Sequence, residues 1–412
     1  MKVSHGLRNL TATQIVDAIA DAAARWSDAD FPPRVRVARA IGERLQYTEP
    51  VVDYALDKLF GTITRESLQA TIAGELGSLE ALDGFVSRAG RPDVRYAGFD
   101  SVAIVSSDTT IGVAIPPLVF AACAKSRVAV KDRSDSLVAA FIATLAEERS
   151  EFGAALAAGH WGGHEDPEAL AHLSNADVVV AFGGAEALPT IRARCKPDAR
   201  FVPFGHRTSA GYVARETLND ERATRDCAFA AARDALLYDG EGCLSLHALF
   251  VESGGRCSVD NFRRSLIDAL DAEAITFPSA FEQLPPAALA LRDAANFRQS
   301  QGSGSSYAGQ TSPHLLLFDP PLEELPPLTP RTLAVYGVDG PGDALAFVCR
   351  HELPLEAFGV CGAERPDVLE MTVASGAARI ARLGELQAPP LTAEHGGSGR
   401  ILPFVRAISR ER

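Results

Sequence analysis

The spacing of apolar residues changes near residue 100. From Thr11 to about Gly84 they recur at every third or fourth position, the spacing of one face of an α-helix. The first such face carries Ile15, Ile19, Ala22 and Trp26. Thr11 or Thr13 precedes this face and can accept hydrogen bonds from the free backbone N–H groups of a first helical turn. The pattern predicts a helical N-terminal segment, to which we assign residues 1–95.

Between Asp100 and Glu252 the chain carries short, valine-rich apolar runs separated by helix-sized segments. The runs are residues 102–105, 128–130, 178–182, 201–204 and 248–251. Strands without a polar face are what a parallel sheet needs when helices cover both of its faces. The pattern therefore predicts an α/β fold with doubly wound parallel sheets.

Two later stretches indicate connections between elements. Residues 298–313 lack a regular periodicity and contain the run Gln-Gly-Ser-Gly-Ser-Ser, which predicts a loop. The proline-rich residues 320–330 indicate a connecting segment. A last α/β portion follows, from Thr332 to about Leu386.

Length, composition and charge exclude several classes of protein. The chain has 412 residues, of which 47% are hydrophobic and 23% charged. That length suggests about two or three domains, and the apolar content is too high for a natively unfolded chain. The formal net charge of -13 argues against a protein that binds nucleic acid or anionic membranes, since both functions need a basic surface.

The cysteines and histidines favour a reduced compartment and no metal site. The seven cysteines are scattered and form no Cys-x-x-Cys pair, so neither a disulfide framework nor a zinc cluster is indicated. Residues 160–166 contain two histidines, but a surface turn accounts for them better than a metal site. The apolar run 111–124 is shorter than the roughly 20 residues of a membrane span, and no signal peptide is evident. We expect a cytoplasmic protein without a membrane span.

One segment combines a nucleophile with a flexible backbone. Cys243 lies in the run Tyr-Asp-Gly-Glu-Gly-Cys-Leu-Ser at residues 238–245, directly before an apolar run. Gly240 and Gly242 let the backbone pass close to a ligand and present a side chain on a tight turn. A thiol placed there is suited to attack a carbonyl or thioester carbon and form a covalent intermediate. The alternative is that Cys243 is a small buried hydrophobic residue, as most free cysteines are.

Four segments follow one another in the order found in aldehyde dehydrogenases. Residues 240–243 resemble that superfamily's Gly-Gln-x-Cys nucleophile motif. Residues 115–131 resemble the helix and strand that end in its ribose-binding lysine, and residues 177–184 the strand along which the dinucleotide lies. Residues 395–400, His-Gly-Gly-Ser-Gly-Arg, are similar to its closing Pro-Phe-Gly-Gly and Ser-Gly-x-Gly-Arg elements.

Within that superfamily the chain most resembles the LuxC-type acyl-CoA reductases, the fatty-acid reductases of bacterial bioluminescence and their relatives. Residues 204–209 are similar to their Phe-Gly-Pro-Lys-x-Ser segment, and residues 243–245 to their Cys-Leu-Ser. The resemblance covers nearly the whole chain. It implies two doubly wound domains after the helical segment, with residues 96–237 binding the dinucleotide and residues 238–386 carrying the catalytic cysteine. Residues 387–412 would form a C-terminal return that serves oligomerisation.

The resemblance also implies a reaction: NADPH-dependent reduction of a fatty acyl thioester to an aldehyde through an acyl-Cys243 intermediate. The substrate would be an acyl-CoA or an acyl-carrier thioester, with an acyl-transferring protein as a possible partner and a homo-oligomer as the assembly. Lys131 would hold the adenosine ribose. His206 lies in the segment that replaces the water-activating glutamate, so it is a candidate proton donor to the leaving thiolate or the aldehyde oxygen. The other candidate cofactor-binding residues are Arg133 and Ser134 for the extra phosphate of NADPH, and Phe182, Gly183, Gly184 and Gly205 along the dinucleotide.

Two positions depart from the superfamily pattern. Hydrolytic aldehyde dehydrogenases have a glutamate that activates water. When the sequences are aligned through Gly205, Pro203 occupies the position of that glutamate, and proline cannot act as a general base. An acyl-enzyme would then persist until hydride or a second thiol reaches it. Asp108 lies near the position at which the superfamily has an asparagine whose amide stabilises the oxyanion. A carboxylate at that position would repel developing negative charge. The superfamily's Glu-x-Phe-Gly-Pro ribose clamp is left unassigned, because Glu356-Ala-Phe-Gly comes too late in the chain.

Two other interpretations stay open at this point. The first is another enzyme of the same fold, either an acyl-phosphate reductase or an acylating aldehyde dehydrogenase that runs toward the thioester. The second is a catalytically silent scaffold subunit that keeps the fold, an interpretation to which Pro203 and Asp108 give some support.

Overall fold

The computed structural model describes residues 6–107, 110–161, 166–310, 312–362 and 365–411. The chain forms two compact units, which we call unit 1 and unit 2. Unit 1 comprises Met1–Leu45, Val52–His206 and Pro390–Arg412. Unit 2 comprises Gln46–Val51 and Arg207–Pro389.

The N-terminal region is helical, as its periodicity predicts. Its four helices are α1 (Ala12–Trp26), α2 (Pro32–Leu45), α3 (Glu49–Gly61) and α4 (Arg65–Leu76). Thr11 begins α1 with a capping box, in which its hydroxyl accepts from the Gln14 N–H and the Gln14 side chain accepts from the Thr11 N–H. The predicted apolar face of α1 is fully buried. Trp26 ends this face, packs against Phe60 with ring centroids 4.9 Å apart and donates to the Thr144 hydroxyl at 3.0 Å.

Unit 1 contains two sheets. Three antiparallel strands lie in the order β1-β2-β15, namely β1 (Val86–Arg88), β2 (Arg91–Gly98) and β15 (Val405–Arg410). A parallel sheet has the order β5-β4-β3-β6-β7, namely β3 (Ser101–Val105), β4 (Arg127–Lys131), β5 (Leu156–Gly159), β6 (Val178–Phe182) and β7 (Arg200–Phe204). Its helices are α5 (Ile115–Cys123), α6 (Leu137–Glu148), α7 (Ser150–Ala155), α8 (Pro167–Asn175) and α9 (Ala187–Arg194).

The order of the parallel strands creates a switch point between β3 and β6. From β3 the chain proceeds to β4 and β5 on one side, then crosses to β6 and β7 on the other. In open α/β sheets, ligands bind outside the carboxyl ends of the strands at such a point. Pro203, on the edge strand β7, pairs with Ala181 of β6, and an edge is where a strand tolerates the missing N–H of proline.

Unit 2 is built on a seven-stranded sheet with a core on each face. The order β10-β11-β12-β9-β8-β13-β14 is parallel except at β10. The strands are β8 (Thr208–Val213), β9 (Leu246–Glu252), β10 (Ser305–Ala308), β11 (Leu315–Phe318), β12 (Thr332–Val338), β13 (Leu355–Cys361) and β14 (Arg379–Arg382). Helices α10 (Glu221–Leu236) and α11 (Val259–Thr276) pack on one face. Helices α12 (Pro286–Ser300), α13 (Pro341–Arg350) and α14 (Pro366–Ala374) pack on the other.

The structure corrects the predicted loop at residues 298–313. Its first residues end α12, and its middle forms β10, which pairs antiparallel with β11. As the edge strand of the sheet, β10 satisfies backbone groups by pairing with β11 although the segment has no apolar periodicity of its own. The glycine- and serine-rich composition therefore concealed a strand.

The boundaries of the two compact units differ from the domain boundaries that the sequence suggested. The division falls after His206 rather than after residue 237, because β8 lies between β9 and β13 in the sheet of unit 2. Residues 86–98 of the N-terminal segment form strands, and the C-terminal strand β15 pairs with β2 of unit 1. No helix in the described part of the chain is both long and apolar enough to cross a membrane.

Candidate functional site

Three consecutive left-handed residues lead into the segment that carries Cys243. Tyr238 (φ 57°) and Asp239 (φ 52°) follow the end of α10, and Gly240 (φ 73°) comes next. For residues other than glycine this conformation costs about 1–2 kcal/mol each, so neighbouring structure must hold it. The turn delivers residues 241–245 to the amino end of β9.

A buried ion pair holds this turn. The guanidinium of Arg331 contacts the carboxylate of Asp239, and each residue is 4% exposed. The backbone N–H of Arg331 also donates to the Asp239 carbonyl at 2.6 Å. The remaining guanidinium donors reach the Ser312 hydroxyl at 2.9 Å and the Phe277 carbonyl at 3.0 Å. The left-handed turn is thereby fixed from both its backbone and its side chain.

Cys243 itself is anchored through its backbone carbonyl. The hydroxyl of Ser209, on β8, donates to the Cys243 carbonyl at 2.9 Å and accepts from the Ala357 N–H of β13 at 3.2 Å. Two residues on, the Ser245 hydroxyl accepts from the Gln387 amide at 2.9 Å. Residue 243 as a whole is of intermediate exposure, although its sulfur is largely buried.

The electrostatic environment of Cys243 opposes ionisation. Burial of the sulfur raises the pKa of the thiol to about 12, and the negative charge of Glu356 acts in the same direction. The positive charges of Arg207 and Arg379 lower this pKa in part. Arg207 lies 3.6 Å from the Glu356 carboxylate, so the two charges that act on the sulfur also face each other. In this state the thiol is protonated at neutral pH.

The nearest histidine along the chain does not form a catalytic dyad with Cys243. His247 lies on β9, and its Nδ1 has no hydrogen-bond partner among the described residues. Burial lowers the pKa of His247 to about 4, so the imidazole is neutral at physiological pH. The sequence predicted that His247 lies on a strand, and the structure places it on β9.

The candidate cofactor-binding residues collect at one edge of the five-stranded sheet of unit 1. Lys131 is the last residue of β4, and Phe182 is the last residue of β6. Gly205 and His206 follow β7 directly. Carboxyl ends of parallel strands share one edge, so the fold brings these residues to the side where the switch point between β3 and β6 lies.

The two glycines that follow β6 have neighbouring side chains close to their backbone. A Cβ atom at Gly184 would lie 3.0 Å from Nε2 of His206, and one at Gly183 would lie 3.1 Å from Cβ of Ala187. Aromatic rings continue this edge: Phe204 stacks on His395 of the C-terminal segment with centroids 4.2 Å apart. The missing side chains at Gly183 and Gly184 allow Ala187 and His206 to lie close to the backbone at the switch point, the place in an open α/β sheet where a dinucleotide would bind.

Arg133 and Ser134 lie just beyond β4, but they differ in their contacts. The Arg133 guanidinium donates to the carbonyls of Ser106 and Ser107, the latter at 3.0 Å, and so braces the loop that follows β3. Ser134 is exposed. The neighbouring Asp132 carboxylate is buried, and this burial raises its pKa.

Several candidates are brought together and others are not. Cys243 lies in unit 2, whereas the cofactor-binding candidates lie in unit 1. His206 is the last residue of the segment Val52–His206 of unit 1. Asp108 falls outside the described residues, as do residues 162–165 of the histidine-rich segment. His160 contacts the Ser136 hydroxyl at 3.5 Å. Within the described ranges, no cluster of three or more potential ligands could hold a metal ion.

Sequence reasoning missed Arg331 as a residue of the site. It lies far from Cys243 along the chain, in a proline-rich stretch, and carries no motif. Ser209 belongs to the segment 204–209 that resembles the family, but the resemblance does not predict its contact with the Cys243 carbonyl. Glu356 comes too late in the chain to be the ribose clamp, and its negative charge instead raises the pKa of the Cys243 thiol.

The chain matches one protein family over nearly its whole length. The sequence model described as acyl-CoA reductase (LuxC) matches residues 7–406. A long-chain acyl-protein thioester reductase 2 from Photobacterium leiognathi is 21% identical over 419 residues, which cover 98% of this chain and 83% of that protein. A long-chain acyl-protein thioester reductase from Aliivibrio fischeri is 22% identical over 250 residues, which cover 59% of this chain and 50% of that protein.

Solved structures of aldehyde dehydrogenases share the fold at low sequence identity. An NAD-dependent benzaldehyde dehydrogenase from Corynebacterium glutamicum aligns with a TM-score of 0.68 at 13% identity, covering 98% of this chain and 87% of that one. The glyceraldehyde-3-phosphate dehydrogenase GapN from Methanocaldococcus jannaschii aligns with a TM-score of 0.67 at 10% identity, covering 98% and 91%. The predicted aldehyde-dehydrogenase-like α/β fold is confirmed.

Proposed function

The chain belongs to the acyl-CoA reductase (LuxC) family, and on that basis we propose that it reduces a fatty acyl thioester to an aldehyde with NADPH, through an acyl-Cys243 intermediate. The observation that carries the proposal is the presentation of Cys243. Cys243 is a residue of intermediate exposure on a segment fixed by Ser209 on one side and by the buried pair of Asp239 and Arg331 on the other. A rigidly held thiol within reach of substrate suits covalent catalysis.

The first half-reaction transfers the acyl group. The Cys243 sulfur attacks the thioester carbonyl carbon, the bond from that carbon to the carrier sulfur breaks, and the carrier leaves as a thiol with the proton that Cys243 gave up. Arg207 and Arg379 favour the thiolate, because their positive charges lower the pKa of Cys243. Burial and Glu356 oppose it, so a change at Glu356 on substrate binding would activate the sulfur.

The second half-reaction releases the aldehyde. NADPH, when bound, supplies a hydride to the acyl carbon. In unit 1, Lys131 with Arg133 and Ser134 would hold the adenosine ribose and its phosphate, and Gly183 and Gly184 would admit the nicotinamide end. A proton reaches the resulting oxyanion, for which His206 is the proposed donor. Cleavage of the carbon–sulfur bond then frees the aldehyde and regenerates the Cys243 thiol.

The strand position of Pro203 supports reduction over hydrolysis. Pro203 is exposed on β7 and carries no ionisable group with which to activate water. Without a base at the position that activates water in hydrolytic aldehyde dehydrogenases, a covalent acyl-enzyme would persist until hydride arrives. This is the condition that a thioester reductase needs.

Reduction of different acyl donors tests the proposal. Purified protein is incubated with a long-chain acyl-CoA and NADPH, loss of nicotinamide absorbance is followed, and the aldehyde is trapped. We expect aldehyde in proportion to NADPH oxidised, and none with Cys243→Ala. The control Cys257→Ala removes another partly exposed cysteine of unit 2 and should retain activity. Preference for an acyl phosphate would instead favour the acyl-phosphate reductase, and inertness toward both donors would favour a silent scaffold subunit.

We propose further that the acyl group arrives on CoA, on a carrier protein or on an acyl-transferring partner, and that the chain works as a homo-oligomer in the cytoplasm. The names of the relatives from Photobacterium leiognathi and Aliivibrio fischeri, both acyl-protein thioester reductases, support a protein-borne donor. Light scattering of the purified protein measures the oligomeric state, and a monomer at working concentration would contradict that part of the proposal.

A further inference from the structure

Two cysteines of unit 2 that the proposed reaction does not use lie against each other. Cys227 is on α10, and Cys361 is the last residue of β13. Ala357 and Cys361 face the core cluster that contains Cys227. Phe358 and Val360 face the core on the other side of the sheet, as the alternation of a strand requires. The Cys227 thiol donates a hydrogen bond to the sulfur of Cys361, so a helix and a strand bring two sulfur atoms into contact.

Contacts that do not involve the thiols hold the end of β13 beside α10. The Cys361 carbonyl accepts from the Ala214 N–H at 3.0 Å. The Thr217 hydroxyl lies against the backbone of Gly362, since a Cβ atom at that glycine would be 2.6 Å from the hydroxyl oxygen. The Thr217 carbonyl in turn accepts from the Thr224 hydroxyl of α10 at 3.3 Å. The meeting of the two cysteines therefore follows from how the strand and the helix are tied together.

The two thiols differ in burial and in their tendency to ionise. Cys227 is 3% exposed, and burial together with its hydrogen bond to Cys361 raises its pKa. Cys361 is a residue of intermediate exposure, and Gly362 after it is exposed. The hydrogen bond from the Cys227 thiol lowers the pKa of Cys361 to about 7, although burial acts in the opposite direction. The Thr217 hydroxyl lowers this pKa further, and the charge of Asp226 raises it. At neutral pH a large fraction of Cys361 is thiolate, whereas Cys227 keeps its proton.

A thiolate beside a second, protonated thiol has the arrangement of a redox-reactive pair. The thiolate is the form that attacks a peroxide, and a neighbouring thiol converts the resulting sulfenic acid into a disulfide. We propose that Cys361 and Cys227 form a peroxide-sensitive dithiol, in which a hydroperoxide oxidises Cys361 and Cys227 resolves the product as a disulfide. The inference goes beyond the proposed function and requires neither Cys243 nor a nucleotide.

Two steps account for the atoms and electrons. The Cys361 thiolate attacks one oxygen of hydrogen peroxide, the O–O bond breaks and hydroxide leaves, so the sulfur is oxidised to a sulfenic acid. The Cys227 sulfur then attacks the Cys361 sulfur, an S–S bond forms and the S–O bond breaks. The hydroxyl group leaves as water with the proton that Cys227 held. In total, two thiols and one peroxide give one disulfide and two molecules of water.

Mass mapping of the folded protein after peroxide treatment tests the pair directly. The full chain is exposed to hydrogen peroxide at neutral pH without denaturant, its remaining thiols are alkylated, and its peptides are mapped. We expect a peptide that joins Cys227 to Cys361 and that dithiothreitol separates. Cys257→Ser removes another cysteine packed against the same cluster and should leave this disulfide unchanged. Cys243→Ala should also leave it unchanged, which keeps failure of this inference distinct from failure of the proposed reaction.

Single variants separate the roles of the two sulfur atoms. Cys227→Ser should stop the reaction at the sulfenic acid of Cys361, which dimedone traps. Cys361→Ser should give neither the disulfide nor a dimedone adduct on Cys227, because that thiol is buried and protonated. A dimedone adduct on Cys227 in Cys361→Ser, with none on Cys361 in Cys227→Ser, would contradict the assigned roles.

The pH dependence of alkylation tests the hydrogen bond between the thiols. In the wild type, the rate at which iodoacetamide modifies Cys361 should reach half of its maximum near pH 7. Cys227→Ala removes the donor and should shift this profile to higher pH. Cys227→Ser should shift it less, because a hydroxyl still donates. A wild type that forms no disulfide between Cys227 and Cys361, or identical profiles in the wild type and Cys227→Ala, would overturn the inference.

Discussion

At the scale of single residues, the thiol of Cys243 lies between charges of opposite sign. Burial and the Glu356 carboxylate raise its pKa to about 12, while Arg207 and Arg379 oppose them. Glu356 is buried, so water screens its charge poorly. A thiol with this pKa is largely protonated at neutral pH, and the reactivity of Cys243 depends on which neighbouring charge dominates.

We predict that Glu356→Gln lowers the pKa of the Cys243 thiol. The change removes a negative charge that raises this pKa and leaves Arg207 without the carboxylate that it faces at 3.6 Å. The rate of alkylation by iodoacetamide is measured from pH 6 to pH 11, with mass mapping of the modified cysteine. The rise in rate should shift to lower pH in Glu356→Gln and to higher pH in Arg207→Gln. Identical profiles in both variants would contradict this electrostatic assignment.

At the scale of elements, the turn between α10 and β9 depends on a strand that is remote along the chain. Arg331 lies directly before β12, yet it fixes Asp239 at the end of the turn through both backbone and side chain. Asp234 of α10 does the same for the segment after β14, accepting from the Gly384 N–H at 2.6 Å and the Leu386 N–H at 3.2 Å. Buried carboxylates thus connect α10 and the turn after it to segments that are remote along the chain.

We predict that the two partners of the buried ion pair are energetically coupled. Arg331→Met or Asp239→Asn alone should lower the free energy of unfolding by roughly 3–5 kcal/mol, because each leaves the other group buried without its partner. The double variant should lose clearly less than the sum of the two. Urea unfolding of all four proteins gives these energies. Strict additivity would show that the pair does not hold the turn as a unit.

We predict that Asp234 makes stability fall as pH rises from about 4 to about 7. Burial raises the pKa of Asp234 to about 7 from an ordinary value of 3.8. The folded state therefore retains a proton that the unfolded state has lost, and the resulting stabilisation is complete below about pH 4 and absent above about pH 7. Unfolding in urea at pH 4.5 and pH 8 measures the difference. Asp234→Asn should reduce this difference, and an equal difference in variant and wild type would refute the assignment.

At the scale of the whole molecule, local patterns predicted the elements better than their partners. The capping of α1 by Thr11 and the strand at Val178–Phe182 follow from nearby residues, and both were predictable. The placement of β8 in the sheet of unit 2, and the strand within residues 298–313, depend on pairing between distant segments. For the same reason Cys243 could be predicted as a candidate from its glycine-rich segment, whereas the contact of Arg331 with Asp239 could not be predicted.

The two units carry different parts of the proposed chemistry. Unit 1 contains the sheet edge with Lys131, Gly183 and Gly184, and unit 2 contains Cys243 with its charged neighbours. Family membership makes the protein an oxidoreductase that reduces acyl groups. The covalent intermediate on Cys243 is the step on which the proposed mechanism depends.

Intact-protein mass spectrometry after exposure to a long-chain acyl-CoA tests that step most directly. The wild type and Cys257→Ala should each gain the mass of one acyl group, and Cys243→Ala should gain none. Addition of NADPH to the isolated acyl-protein should remove the added mass and release the aldehyde, whereas buffer alone should leave the adduct in place. A wild type that acquires no adduct, or an adduct that persists in Cys243→Ala, would contradict the account.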